Sequence, residues 1–214
     1  MPILVDNKFL FLRVPKTGSG SAQAGLMQAF GARAYVFGRA HMTLAECLEL
    51  FPRKIYMACV RRPETWLRSV WAAVRLSPSE AGPEARSNTG IDDFPDMVHQ
   101  IWAGDFTAFV DNYLLQRPGW IAKFFERYVG PPAKRVPVIG HCETLEMDLS
   151  RGLRAANVTD FDPTLLHVDR RIHQAGTLPQ MARHVAYEPA LLADVRRTEA
   201  WVYREFYGEQ TDGE

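Results

Sequence analysis

Cysteine is scarce, with three residues (Cys47, Cys59 and Cys142) in 214, no CxxC pair and an odd total. That spacing offers no disulfide framework and no zinc ribbon, and it points to reduced thiols in a cytoplasmic protein. An excess of one charge is also missing: Lys plus Arg and Asp plus Glu are 25 each. Without a basic surplus to displace counterions, a dedicated nucleic-acid binder is excluded, while a local anion site is not. Long apolar runs are absent too. The longest early one, Phe9 to Leu12, falls far short of the roughly 20 residues that cross a bilayer, and no basic segment leads into a secretory apolar stretch, so no membrane span is expected. The histidines lack HxxxH and HExxH spacing, which removes the common zinc patterns. No Gly-Lys pair occurs anywhere, which removes the GxxxxGK[ST] loop of ordinary P-loop NTPases.

What is present is ordinary globular material, 47% hydrophobic and 23% charged, in a length that suits a single domain over residues 1–214. Residues 8–14 form a nearly continuous apolar run, the pattern of a strand buried on both faces of a parallel sheet. A small-residue loop follows, then a helix with Ala22, Leu26, Met27 and Phe30 on one face. Residues 33–38 and 54–60 read as two further strands. Thr43-Leu-Ala-Glu46 is a capping box opening a helix at 44–51, and Pro63 with Glu64 opens another that reaches about Leu76. This β-α-β-α-β-α order predicts a three-layer α/β/α core with a central, mainly parallel sheet. Residues 77–93, rich in Pro, Gly and Ser, read as a long loop that is either a functional lid or disordered. Helices are expected at 94–103, 105–116, 121–128, 145–156 and 189–207, and a strand at 136–140.

The most informative segment is Pro15-Lys-Thr-Gly-Ser-Gly-Ser21. Glycines at 18 and 20 allow a tight turn that gathers backbone N–H groups, and the helix behind it directs its positive dipole end to the same point. Lys16 adds a charge; Thr17, Ser19 and Ser21 add hydroxyls. Taken alone the segment reads either as a phosphate or sulfate cradle or as a plain βα turn.

This heptapeptide resembles the 5'-phosphosulfate loop of the sulfotransferases that use 3'-phosphoadenosine 5'-phosphosulfate (PAPS), usually PKTGTTS or PKSGTTW. The segment from Ile55 to Ser69 is similar to the same family's 3'-phosphate motif, a strand running into R-x-P with a serine eight residues after the arginine; Arg61 and Ser69 hold those places. Glu143-Thr-Leu-x-x-Asp148 and the aromatic stretch around Tyr203 and Phe206 resemble the carbohydrate-type branch more loosely. The sequence departs from the pattern at Gly20, where threonine is common, at Ser21, where cytosolic members have tryptophan, and at Arg62, where an acidic residue or asparagine is usual.

The resemblance implies a P-loop nucleotide-kinase-like sulfotransferase fold and a PAPS-dependent transfer without a metal. Lys16 would stabilise the departing phosphate oxygen, with Thr17, Gly18, Ser19, Gly20 and Ser21 around the 5'-phosphosulfate. Arg61 and Ser69 would hold the 3'-phosphate that distinguishes PAPS, and its product adenosine 3',5'-bisphosphate (PAP), from ATP. His41, twenty residues before Arg61, matches members that use a histidine there and is the candidate base; the alternative is a residue that caps or packs under its own helix. Arg171, with Arg170, reads either as a cap on the nucleotide or as a solvated basic turn. Trp71, Trp102 and Trp120 read as core or as sugar-stacking platforms. The acceptor is a hydroxyl or amine of a saccharide or other small molecule. A non-catalytic PAP-binding protein and a small-molecule kinase with an atypical loop are the competing readings.

Overall fold

The computed structural model describes residues 1–76, 105–166 and 185–209. The expected loop at 77–93, the helix at 94–103, Trp102 and both Arg170 and Arg171 lie outside the described residues. The chain divides into two compact units, Met1–Arg61 with Phe124–His173, and Arg62–Lys123 with Gln174–Glu214. No helix among the described residues is long and apolar enough to cross a membrane.

Among the described residues the first unit is built on five strands: β1 (Ile3–Val5), β2 (Phe9–Leu12), β3 (Ala34–Val36), β4 (Ile55–Val60) and β5 (Val138–His141). Their order in the sheet is β3-β1-β2-β4-β5. β2, β4 and β5 run parallel, in a register that sets Phe11 beside Met57 and Met57 beside Val138. β1 runs against both of its neighbours, so the sheet is mixed rather than wholly parallel. The sequence reading overlooks β1 and starts its strand at residue 8. In the structure Lys8 belongs to the turn, because Asp6 and Asn7 both adopt left-handed backbone (φ 49° and 55°) and fold β1 back on β2 as a hairpin. The strand expected at 33–38 is shorter and pairs with β1, not with β2.

Alternation along β4 explains how helices cover the sheet. Met57 and Cys59 join Phe9 and Phe11 in a core with Ala22, Leu26 and Phe30 of α1 (Ser19–Phe30) and Leu145, Leu149 and Leu153 of a later helix, Leu145–Ala155. That later helix seats closely because two glycines make room. A Cβ on Gly152 would come within 2.7 Å of Met57 Sδ, and one on Gly140 within 2.5 Å of Met57 Cε. Tyr56, one residue out of phase with Met57, points to the opposite face. Its hydroxyl lies 2.9 Å from the Cys47 carbonyl and 2.6 Å from that of Phe51, holding α2 (Leu44–Leu50) there. The capping box opens α2 as the sequence predicts: Thr43 N–H donates to Glu46 Oε2 at 2.7 Å, and Glu46 N–H to Thr43 Oγ1 at 3.4 Å. At the sheet's end, β5 keeps no bare edge at two positions. Arg151 donates to the Ile139 carbonyl at 2.7 Å, and Asp148 accepts from the His141 N–H at 2.8 Å.

The second unit is helical where it is described. It contains α3 (Pro63–Leu76), which starts at the proline as expected, and α4 (Phe106–Gln116), capped by Asp105 through Ala108 N–H at 2.8 Å. The first turn of α5 (Trp120–Val129) lies in it, and the rest of α5 in the first unit. With Leu145–Ala155 as α6, the next helix is α7 (Pro189–Thr198). The single helix expected at 189–207 is interrupted at Glu199, after which come a short helix, Ala200–Val202, and a π-helical turn, Tyr203–Tyr207. The break has a cause: the buried Glu199 carboxylate accepts from the Tyr113 hydroxyl of α4 and from Ala122 N–H, and it caps the start of α5. Glu64 is buried as well and accepts from the Tyr203 hydroxyl. Trp71 packs edge-on against Phe106 and is buried, so it is core and not a platform.

Candidate functional site

The loop that leaves β2 is shaped from its own residues. Val14 and Pro15 are buried, and the Thr17 hydroxyl donates to the Val14 carbonyl at 3.0 Å. Thr17 is fully buried, so its hydroxyl is spent inside the turn and its backbone N–H is what it has to offer a ligand. Lys16 and Gly18 flank it in left-handed conformation, with φ 63° and 79°. Alternation of this kind gathers consecutive N–H groups into a concave nest. For a lysine this backbone is uncommon, and residues held there concentrate at functional sites. Gly18 has a second reason to be glycine: a Cβ would meet Leu145 Cδ2 at 3.1 Å and Cys142 Sγ at 3.2 Å. The loop therefore rests on the junction between β5 and α6.

Gly20 departs from expectation. It lies in the first turn of α1, and Lys16 instead supplies the second left-handed residue of the turn. Among the described residues no side chain caps α1. The first backbone bond from the loop is Ala22 N–H to the Gly18 carbonyl, at 2.9 Å. The amides of Ser19, Gly20 and Ser21, at the positive end of the helix dipole, are positioned for an external acceptor. Both serines are buried, at 6% exposure.

Two cations meet at this loop. Arg61, the residue after β4, donates from Nη1 to the Lys16 carbonyl at 3.1 Å. Burial, and secondarily the like charge of Arg61, push the Lys16 ammonium down to about 8. Among the described residues no carboxylate pairs with Lys16. It remains mostly protonated at neutral pH, in a place where its charge is poorly compensated.

His41 belongs to the same unit. Its Nδ1 lies 2.8 Å from the Arg13 carbonyl, which can only accept, so Nδ1 carries the proton and the lone pair of the neutral ring sits on Nε2. The residue is half-buried, its backbone is left-handed (φ 55°), and the Tyr128 hydroxyl donates to its carbonyl at 3.4 Å. The structure thus brings Lys16, Arg61 and the 17–21 backbone together, with His41 tied to the start of the same loop through Arg13. Ser69 lies on α3 in the second unit and is half-buried. Arg62, one residue after Arg61, has a different fate: its guanidinium forks onto both carboxylate oxygens of Glu209 and stacks over Tyr207.

Asp148, the acid of the weaker C-terminal motif, is structural. It accepts from His141 N–H at 2.8 Å and from Thr144 Oγ1 at 2.7 Å, and it pairs with Arg151 at 2.8 Å. These donors hold its carboxyl below the usual range against the opposing effect of burial. Sequence reasoning passed over Arg13, which follows the apolar strand by one residue. The signal was available, since a charged side chain closing a buried strand stands at the rim where ligands of open α/β sheets gather. No family model, curated protein or solved structure matches the chain.

Proposed function

We propose that the chain is a sulfotransferase that moves the sulfuryl group of PAPS onto a hydroxyl or amine of a saccharide or other small acceptor. The observation that carries this reading is the meeting of two like charges, Lys16 and Arg61, at a backbone turned left-handed on both sides of Thr17. Desolvation and mutual repulsion make that arrangement costly by itself, and a multiply charged anion offsets both. The uncapped first turn of α1 adds N–H donors aimed at the same anion.

The roles follow from these positions and from the family resemblance. The amides of residues 17–21 hold the 5'-phosphosulfate. The Lys16 ammonium donates to the phosphate oxygen that takes up negative charge as the sulfuryl group leaves. Arg61 takes the 3'-phosphate, steadied by its bond to the Lys16 carbonyl, with Ser69 and Arg171 as further contacts by resemblance alone. His41 accepts the acceptor's proton at Nε2, its ring orientation set by the Arg13 carbonyl. Fixing donor and acceptor in line supplies the rest of the acceleration.

Titration calorimetry with PAP, with ATP and magnesium, and with adenosine 5'-phosphosulfate tests this reading. PAP is expected to bind most tightly, and Arg61→Ala to weaken it. Preference for ATP with magnesium would instead support a kinase. PAP binding with no radiolabelled sulfate transfer to any acceptor would support a binding protein.

A further inference from the structure

Along residues 13–21 the acceptors are taken and the donors are not. The Arg13 carbonyl accepts from His41 Nδ1 at 2.8 Å, Val14 from the Thr17 hydroxyl at 3.0 Å, Lys16 from Arg61 Nη1 at 3.1 Å, and Gly18 from Ala22 N–H at 2.9 Å. The amides of Ser19, Gly20 and Ser21 meet no acceptor among the described residues, and no carboxylate among them pairs with the Lys16 ammonium. Thr17 is fully buried, so its hydroxyl oxygen is closed to a ligand. Ser19 and Ser21 are buried as well. A serine there that accepted a ligand's proton would have to turn its own hydrogen back onto the same donors.

Such a loop tells anions apart by where their protons are, not by charge or size alone. Sulfate, a sulfate ester and a phosphosulfate bridge are fully ionised at neutral pH and offer lone pairs on every outer oxygen. Orthophosphate keeps at least one O–H there. Against a set of donors, that hydrogen removes an acceptor and faces another hydrogen, so a buried N–H goes without its bond. A phosphomonoester, whose second pKa is about 6, has shed its proton by pH 7.5 and falls with sulfate.

We infer that the loop at residues 16–21 selects oxyanions that carry no proton, binding sulfate, sulfate esters and ionised phosphoesters in preference to orthophosphate. This selectivity deepens the proposed function and rests on it for its sense: a nucleotide site in a phosphate-rich cell stays clear of orthophosphate without a separate gate. Its physical content, the ranking of anions, is measured apart from any nucleotide.

The amide resonances of Ser19, Gly20 and Ser21, followed by NMR at pH 7.5 and fixed ionic strength, report directly on the loop. Sodium sulfate and methyl phosphate are expected to shift them with similar dissociation constants, and sodium phosphate to bind about tenfold more weakly. At one pH the protein's own titration cancels. Sulfate, methyl phosphate and most of the orthophosphate are dianions there, so the O–H is the difference that remains. Phosphate binding as tightly as sulfate overturns the inference, and so does methyl phosphate falling with phosphate. Failure of all three to move these amides overturns it too. PAP separates the two claims. PAP binding with no preference among the anions keeps the nucleotide reading and removes this one, whereas the expected ranking without PAP binding does the reverse.

Discussion

Arg61 and Arg62 are neighbours in the chain and opposites in use. Arg62 belongs to the unit in which polar side chains find partners inside: its own fork on Glu209, Glu64 under Tyr203, and Glu199 under Tyr113. Arg61 belongs to the other unit, where its guanidinium donates to the carbonyl of a half-buried Lys16, and that lysine has no carboxylate among the described residues. Internal settlement indicates a group retained to hold helices in place. A lysine ammonium left without a carboxylate on left-handed backbone indicates a group retained for something that arrives from outside. Burial alone does not separate the two cases; the sign of the surroundings does.

The sharpest test of this contrast is at Lys16. Lys16→Ala is expected to lower sulfate transfer by 10²–10³-fold, about 2.7–4 kcal/mol of lost leaving-group stabilisation. Thermal stability should hold or rise, since a desolvated charge is removed. A variant that keeps full turnover in a radiolabel assay removes Lys16 from the chemistry.

The second test addresses the opposite unit. Burial raises the Glu199 carboxyl from 4.5 to about 7, against the pull of its hydrogen-bond donors. The folded state therefore binds this proton more tightly than the unfolded chain does. Its stabilising contribution is complete below pH 4.5 and is lost as pH rises to about 7, by about 1.4 kcal/mol for each pH unit of that window. Denaturant titrations across this range should show the decline in wild type and a flatter profile in Glu199→Gln. Identical profiles would mean that Glu199 is ionised throughout.

A smaller effect is expected at Gly18. Gly18→Ala forces a Cβ into left-handed backbone, costing about 1–2 kcal/mol, and also against Leu145 and Cys142. Denaturant unfolding measures the loss, and PAP affinity should fall with it because the nest is distorted. Smallest of the four is Thr43→Ala, which removes half of the capping box and should cost about 1 kcal/mol in the same measurement.

Much of the frame could be read in advance because its signals are local. Pro63 with Glu64 opens α3, Thr43 with Glu46 opens α2, and the apolar run ending at Val60 is β4. The hairpin of β1 was missed because three apolar residues are too few to show a period, and its turn depends on left-handed Asp6 and Asn7 rather than on a glycine. Glu199 was missed for another reason. Helical spacing continues through it, and only a tyrosine 86 positions away explains why the helix stops. At the candidate site, Lys16 and Arg61 could be named from their motifs. The inward hydroxyl of Thr17 and the hold of the Arg13 carbonyl on His41 could not, because both depend on atoms that only the folded chain brings within reach.

The treatment of β5 bears on how copies of this protein behave at high concentration. Strand-by-strand growth of one sheet onto another requires a row of accessible main-chain donors and acceptors. On this side Asp148 and Arg151 already occupy the His141 N–H and the Ile139 carbonyl. Fibril-like stacking through β5 therefore has to strip away two ionic side chains first, and Asp148→Ala should open that route even in a chain that still folds.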